Sequence, residues 1–278
     1  MPRVFAMPLH RSLLVIMAAF ALSACSTDAP SAEVGRGASP LTVRARTPEY
    51  LVDVVRAYPH DTTAFTQGLV WHDGTLYEGT GVVGRSSIRR VELTTGRVQQ
   101  QRDLPAPHFG EGIVILGDRL YQLTWQSNRA FVYDARTFAS VQEFRYDGEG
   151  WGLTTDGSQL YMSDGTATVR VLDPATFTVL RLIPVTENGS AVRNLNELEW
   201  VKGELWANVW TSDRIARIDP ATGAVIGWID LSGLLPPSLR HGGEDVLNGI
   251  AYDAAGDRIF VTGKNWSRLF EVRVRPKP

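Results

Sequence analysis

Residues 108–125 read HFGEGIVILGDRLYQLTW, with Glu111 held between two glycines, Leu120-Tyr121 nine residues on and Trp125 five further. The same register recurs along the chain. Short alternating runs carry LY at Leu76, LY at Leu120, LY at Leu160, LW at Leu205 and IF at Ile259. Each is followed by a second run: RRVEL, AFVYD, VRVLD, ARIDP and LFEVRV. Turn sequences TTG, ARTF, PATF and PATG close the first four units. Units 40 to 54 residues apart, each of several short strands, are the sequence form of a propeller and do not suit helical solenoids. The expected fold is therefore all-β, a five-bladed β-propeller. YLVDVVRAY (Tyr50 to Tyr58) precedes the first unit, and the last unit stops soon after FEVRV. An N-terminal strand is expected to complete the last blade and close the ring.

This register also places side chains. Nine residues before each marker, or eleven in the last unit, stand QGL, EGI, WGL, NEL and NGI. Their first residues, Gln67, Glu111, Trp151, Asn196 and Asn248, are expected to ring one mouth of a central channel. Two positions on, Leu69, Ile113, Leu153, Leu198 and Ile250 should pack between blades. Five residues after each marker come Gly81, Trp125, Gly165, Trp210 and Lys264. This second ring reads as a concave pocket, open at the glycines and bulky at the tryptophans. Lysine occurs elsewhere only at 202 and 277 among 28 basic residues, which favours either a compact donor at Lys264 or a plain bias toward arginine. Singly, each residue has a bland account: Glu111 as a solvated turn residue, the tryptophans as packing, Asn196 and Asn248 as turn side chains. Together, one carboxylate, amides, aromatics and one amine converge on one pocket, which packing does not require.

Composition is that of an ordinary globular protein, 44% hydrophobic and 21% charged, and a net charge of -2 gives no positive field for nucleic acid. Arg3 and Arg11 precede LLVIMAAFAL, which runs into SAC, too short for a comfortable membrane span. Residues 1–24 are expected to be an export signal peptide, 25–46 a lipidated cysteine with a flexible tether, and 47–278 the propeller. LSAC (Leu22 to Cys25) resembles the lipobox of bacterial lipoproteins. A lipid on Cys25 would hold a monomer at the periplasmic side of a bacterial membrane, the outer membrane being the expected one; an ordinary cleaved signal is the alternative. Cys25 is the only cysteine, so the mature domain has no disulfide, cysteine nucleophile or thiolate metal site.

Other chemistries fit less well. His10, His60, His72, His108 and His241 are scattered with no H-E-x-x-H arrangement, so a zinc hydrolase is poorly supported. GVVGRSS lacks the Lys-Ser/Thr ending of a phosphate loop, and no G-x-S-x-G elbow occurs. SDGT and YDGEG are turn formers; structural calcium stays open but is not indicated. No metal ligand is assigned, and no cofactor is expected to be required for catalysis.

The longer motifs are AFTQGL at Ala64, TGVVGRSSIRRV at Thr80, FGEGI at Phe109, YQLTW at Tyr121 and GWGLTTDG at Gly150. SDGT at Ser163, LNELEW at Leu195, LWANVW at Leu205, DRIARIDP at Asp213 and VLNGIAYD through IFVTGK (Val246 to Lys264) continue the series. In order, and across roughly residues 52–272, they resemble the plant and bacterial glutaminyl-peptide cyclotransferases. That resemblance implies a five-bladed propeller converting N-terminal glutamine of peptides or proteins to pyroglutamate with release of ammonia. It implies a fold unrelated to the zinc-dependent animal enzymes of the same activity. It carries Glu111, Asn196 and Lys264 over as catalytic, and Phe65, Gln67, Phe109, Trp125, Trp151 and Trp210 as substrate-binding. In the reaction so implied, Glu111 would shuttle the proton while Asn196 and Lys264 stabilise the carbonyl oxygen. Val83 stands where many members have an aromatic, a change expected at the rim. Asn248 shares the ring register but is left as structural. A non-catalytic propeller binding peptides or glycans at the same mouth is the alternative. A lactonase-like hydrolase would need several calcium-ligating carboxylates where the two rings hold one.

Overall fold

Runs rich in β-branched and aromatic residues, cut by glycine turns, cannot bury a helical stripe, and they form strands throughout. A computed structural model describes residues 46–278. The expected signal peptide and Cys25 lie outside the described residues, as does all of the tether but Arg46. Strand β1 (Glu49–Pro59) comes first. Next, β2 (Thr66–His72), β3 (Thr75–Thr80), β4 (Ser87–Val91) and β5 (Val98–Asp103) form an antiparallel four-stranded sheet. A second such sheet contains β6 (Gly110–Leu116), β7 (Arg119–Thr124), β8 (Arg129–Asp134) and β9 (Ser140–Arg145). The third contains β10 (Leu153–Thr155), β11 (Leu160–Met162), β12 (Thr168–Leu172) and β13 (Val179–Pro184). A small ribbon, β14 (Thr186–Glu187) with β15 (Ser190–Ala191), leads to β16 (Leu195–Val201), β17 (Glu204–Val209), β18 (Arg214–Ile218) and β19 (Val225–Asp230). After a 3-10 turn at Pro237–Leu239 come β20 (Leu247–Asp253), β21 (Arg258–Gly263) and β22 (Arg268–Pro276).

The last seven strands and β1 form one eight-stranded sheet, ordered β16-β17-β18-β19-β1-β22-β21-β20. Here β1 lies antiparallel to β22, from Tyr50 opposite Pro276 to Pro59 opposite Arg268. Its start also pairs in parallel with β19, Glu49 opposite Trp228. The early run thus completes the last unit, as expected. The parallel joint to β19 was not foreseen, and it fuses the fourth and last units into one sheet.

The strands that begin the sheets touch one another in the order β2, β6, β10, β16, β20 and back to β2. Leu69, Ile113, Leu153, Leu198 and Ile250 sit between them, none more than 1% exposed. Each such burial is worth about 1.5–3 kcal/mol, so this inner layer fixes the scaffold beneath the site. The register holds in detail. Trp71 opposes Leu76, Ile115 opposes Leu120, Thr155 opposes Leu160, Trp200 opposes Leu205 and Tyr252 opposes Ile259. The eleven-residue spacing of the last unit arises in its longer hairpin, where residues 254–257 separate β20 from β21.

Candidate active site

Four of the five first-ring residues sit at irregularities of their strands. Ladder pairing shifts between Thr66 and Gly68, Gly110 and Ile113, Leu195 and Leu198, and Leu247 and Ile250. Gln67, Glu111, Asn196 and Asn248 occupy these breaks, and β10 begins only at Leu153, past Trp151. A bulge bends its strand and re-aims a side chain, which lifts the ring residues out of ordinary alternation. Four of them reach a cavity of about 340 Å³ lined by Phe65, Gln67, Phe109, Glu111, Trp125, Trp151, Asn196, Trp210, Thr211, Asp245, Val246 and Lys264. All nine candidate catalytic and substrate-binding residues therefore share one cavity. Asn248 does not line it and lies fully buried behind Gln67. Val83, expected at the rim, is exposed and lies outside the lining.

The second ring needs a correction. Gly81 and Gly165 do not leave open sides, because aromatic rings from the first-strand segments lie on them. A Cβ on Gly81 would run into the Phe109 ring, and one on Gly165 would meet Trp151 Cη2 at 2.6 Å. The missing side chains seat Phe109 and Trp151 as walls of the cavity, a close approach that only glycine allows. The walls then interlock edge to face: Phe65 with Phe109 at 6.1 Å, Phe109 with Trp125 at 5.8 Å, and Trp151 with Trp210 at 5.6 Å between centroids. Trp125 and Trp210 stay exposed at the mouth.

Glu111 and Lys264 are both 5% exposed, and neither forms an ion pair among the described residues. Gln67 Nε2 donates to Glu111 Oε1 at 3.1 Å, and Lys264 Nζ lies 4.8 Å from the centre of the Phe65 ring. Burial raises the Glu111 carboxyl well above the usual carboxylate range, opposed by the Lys264 charge and reinforced by Glu149. Burial likewise lowers the Lys264 ammonium, with Glu111 and Asp245 opposing. An acid brought up and an amine brought down in one pocket have their proton affinities drawn toward each other, the pattern of groups that move protons.

Two sets of carboxylates escaped the sequence reading. Glu149 Oε2 accepts from both Trp125 Nε1 (2.7 Å) and Trp151 Nε1 (2.9 Å), while its Oε1 accepts from Gln126 Nε2 (2.9 Å). Burial pushes its carboxyl up, but these donors outweigh that and hold it below the usual range. Glu149 falls in neither ring, and the only available signal was that a walled-in indole N–H needs an acceptor. Beneath the pocket, Glu197 Oε1 accepts from Leu69 N at 3.3 Å and Oε2 from Ile250 N at 2.9 Å. Glu199 Oε1 accepts from Tyr252 N at 2.8 Å. Glycine follows the ring residue in the other units, at Gly68, Gly112, Gly152 and Gly249. Among the described residues, no group of three or more His, Cys, Asp or Glu side chains is arranged to hold a metal ion.

Residues 16–274 match the family described as glutamine cyclotransferase. The chain belongs to that family. It is 47% identical over 228 residues to the glutaminyl-peptide cyclotransferase of Arabidopsis thaliana, covering 81% of this chain and 71% of that relative. Its fold matches the crystal structure of Myxococcus xanthus glutaminyl cyclase with a TM-score of 0.78 at 38% identity, over 84% of this chain and all of the other. Family membership and cavity point the same way, since the residues the family resemblance singled out are those gathered around Glu111.

Proposed function

We propose that the chain is a glutaminyl-peptide cyclotransferase acting on peptides or proteins with N-terminal glutamine. One observation carries the reading: a buried carboxyl and a buried amine, neither in an ion pair among the described residues, share an aromatic-walled cavity with two side-chain amides. In N-terminal glutamine the nucleophile and its target belong to one molecule, so the pocket need only hold the folded conformer. The α-amine, with an ordinary pKa of about 7.7–8.0, attacks the side-chain carbonyl carbon in its neutral form. A new C–N bond closes the five-membered ring, and the carbonyl pair moves onto oxygen. Glu111 takes a proton from the attacking nitrogen and delivers it to the departing amide nitrogen, whose C–N bond breaks to release ammonia. Lys264 and Asn196 stabilise the oxygen as it becomes negative, more strongly than they hold the neutral amide. Phe65, Phe109, Trp125, Trp151 and Trp210 exclude water and shape the site, while Gln67 orients the reacting groups.

On the same reading each four-stranded set is a blade, and the eight-stranded sheet is two blades joined through β1, giving five around the channel. The cyclic contact of β2, β6, β10, β16 and β20 supports that count. The sequence ahead of the described residues supports export and lipid attachment at Cys25, which would hold the chain on the periplasmic side of a membrane.

Incubating the folded protein with a Gln-peptide and a strong chelator tests the activity. Ammonia release with the matching mass loss, unchanged by chelator, is the expected result. A folded protein that binds the peptide without converting it would replace the enzyme reading with a binding module. Loss of activity on chelation would point to a metal-dependent site instead.

A further inference from the structure

Asn248 lies outside the cavity lining, yet it is 0% exposed and polar, a costly placement unless its hydrogen bonds matter. Its Nδ2 donates to the Thr66 carbonyl at 3.0 Å and to Gln67 Oε1 at 3.3 Å. Gln67 Nε2 in turn donates to Glu111 Oε1 at 3.1 Å. The direction of this chain follows from valence. A backbone carbonyl only accepts, so the Asn248 nitrogen must face Thr66. Its second N–H then faces Gln67, whose oxygen must turn toward Asn248 and whose nitrogen must turn toward Glu111. Asn248 Oδ1 is buried without a partner, so this side chain contributes through its donors.

We propose that Asn248 is a positioning residue that fixes which end of the Gln67 amide faces Glu111, committing Gln67 to donate to the carboxyl. Without it the amide can rotate, and its oxygen can meet Glu111 Oε1, a contact that only a protonated Glu111 satisfies. The inference rests on the cyclotransferase reading only where activity is the readout; the geometry stands apart from it. Hydrogen-bond donation to a carboxylate favours its charged form, so losing the donor should move Glu111 titration upward. The other charged or titratable groups acting around it are Lys264, Glu149 and Tyr146, with Asp245 acting on Lys264, and all stay in place in the variants below.

The test is a double-mutant cycle of Asn248→Leu and Gln67→Leu, read by the Glu111 carboxyl titration in 13C NMR and by the acid limb of kcat/KM on a Gln-peptide. N248L should raise the Glu111 midpoint by about half a pH unit or more and move the acid limb with it. In the Q67L background it should add nothing, because Asn248 acts through Gln67. An unmoved midpoint in folded N248L, or shifts that add in the double variant, would overturn the assignment. If N248L does not fold, Asn248→Ser replaces it, chosen to keep a donor for the Thr66 carbonyl without the reach to Gln67. A wild type that fails to cyclise the peptide would sink the proposed function alone, since the NMR titration still decides the role of Asn248.

Discussion

The chemistry proposed for Glu111 rests on where its strand breaks: buried at a bulge, it meets one amide donor and feels the Lys264 charge without forming an ion pair among the described residues. Glu111→Gln keeps the volume and removes the proposed proton shuttle, so kcat should fall about 100-fold or more with peptide binding largely retained. Near-normal turnover would reject the role. Lys264→Met keeps much of the apolar stem and loses the charge that lies over Phe65, so kcat should fall about 100-fold while KM moves less. An unchanged rate in that variant would leave Lys264 only a part in shaping the mouth. Glu149 belongs to neither ring, but it clamps one indole from each; Glu149→Ala should raise KM about 10-fold and alter tryptophan emission without unfolding the chain. Unaltered emission and KM would show that ring packing alone holds the walls. Seven of the twelve lining residues were legible because the repeat put them in equivalent places, and Phe65 and Phe109 only because the family motifs named them. Glu149 was not, since a side chain reaching across from a loop leaves no periodic trace.

Strand by strand, the repeat was readable where one residue type recurs at one place and silent where a single unit departs from the rest. The marker pairings and the buried Leu/Ile layer followed from period-two alternation. The bulges did not, because an extra residue in one strand looks like ordinary spacing until its partner strand is known. Nor did the parallel joint of β1 to β19, which depends on where two ends arrive in space. Glu197 departs from the glycine found at this place in the other units, and its carboxyl from β16 receives N–H groups of both β2 and β20. Glu197→Ala would leave two buried donors unpaired at the centre, so Tm should drop by about 5–15 °C. A drop much smaller than that would mean other acceptors replace it.

Across the whole molecule, protonation sets stability and activity against each other. Burial pushes the Glu199 carboxyl from its ordinary 4.5 up to about 8, against the donors from Tyr252 and Thr154. Burial and the neighbouring Glu199 raise Glu197 as well, with the Leu69 and Ile250 donors opposing. Burial lowers His60, but Glu78 and the Trp266 carbonyl more than offset it, and the net shift is upward. Both its ring nitrogens face acceptors, Trp266 O at 2.7 Å and Glu78 Oε1 at 3.0 Å, which fits an imidazolium. All three groups hold their proton more tightly folded than unfolded. Their contribution is fully present below the unfolded values, 4.5 for the carboxyls and 6.5 for the imidazole, and is lost as pH climbs through the folded ones. Glu78 is shifted the other way, so its contribution is lost only as pH falls below 4.5. Over the same rise the substrate amine becomes neutral, so the rate should climb where the fold weakens. Tm should therefore decline from about pH 5 to about pH 9. Glu199→Gln keeps an oxygen for the Tyr252 N–H and cannot ionise, so it should match the wild type near pH 5 and exceed it near pH 9. Thermal unfolding of both proteins across that range measures the difference, and parallel curves would show that Glu199 does not carry the trend.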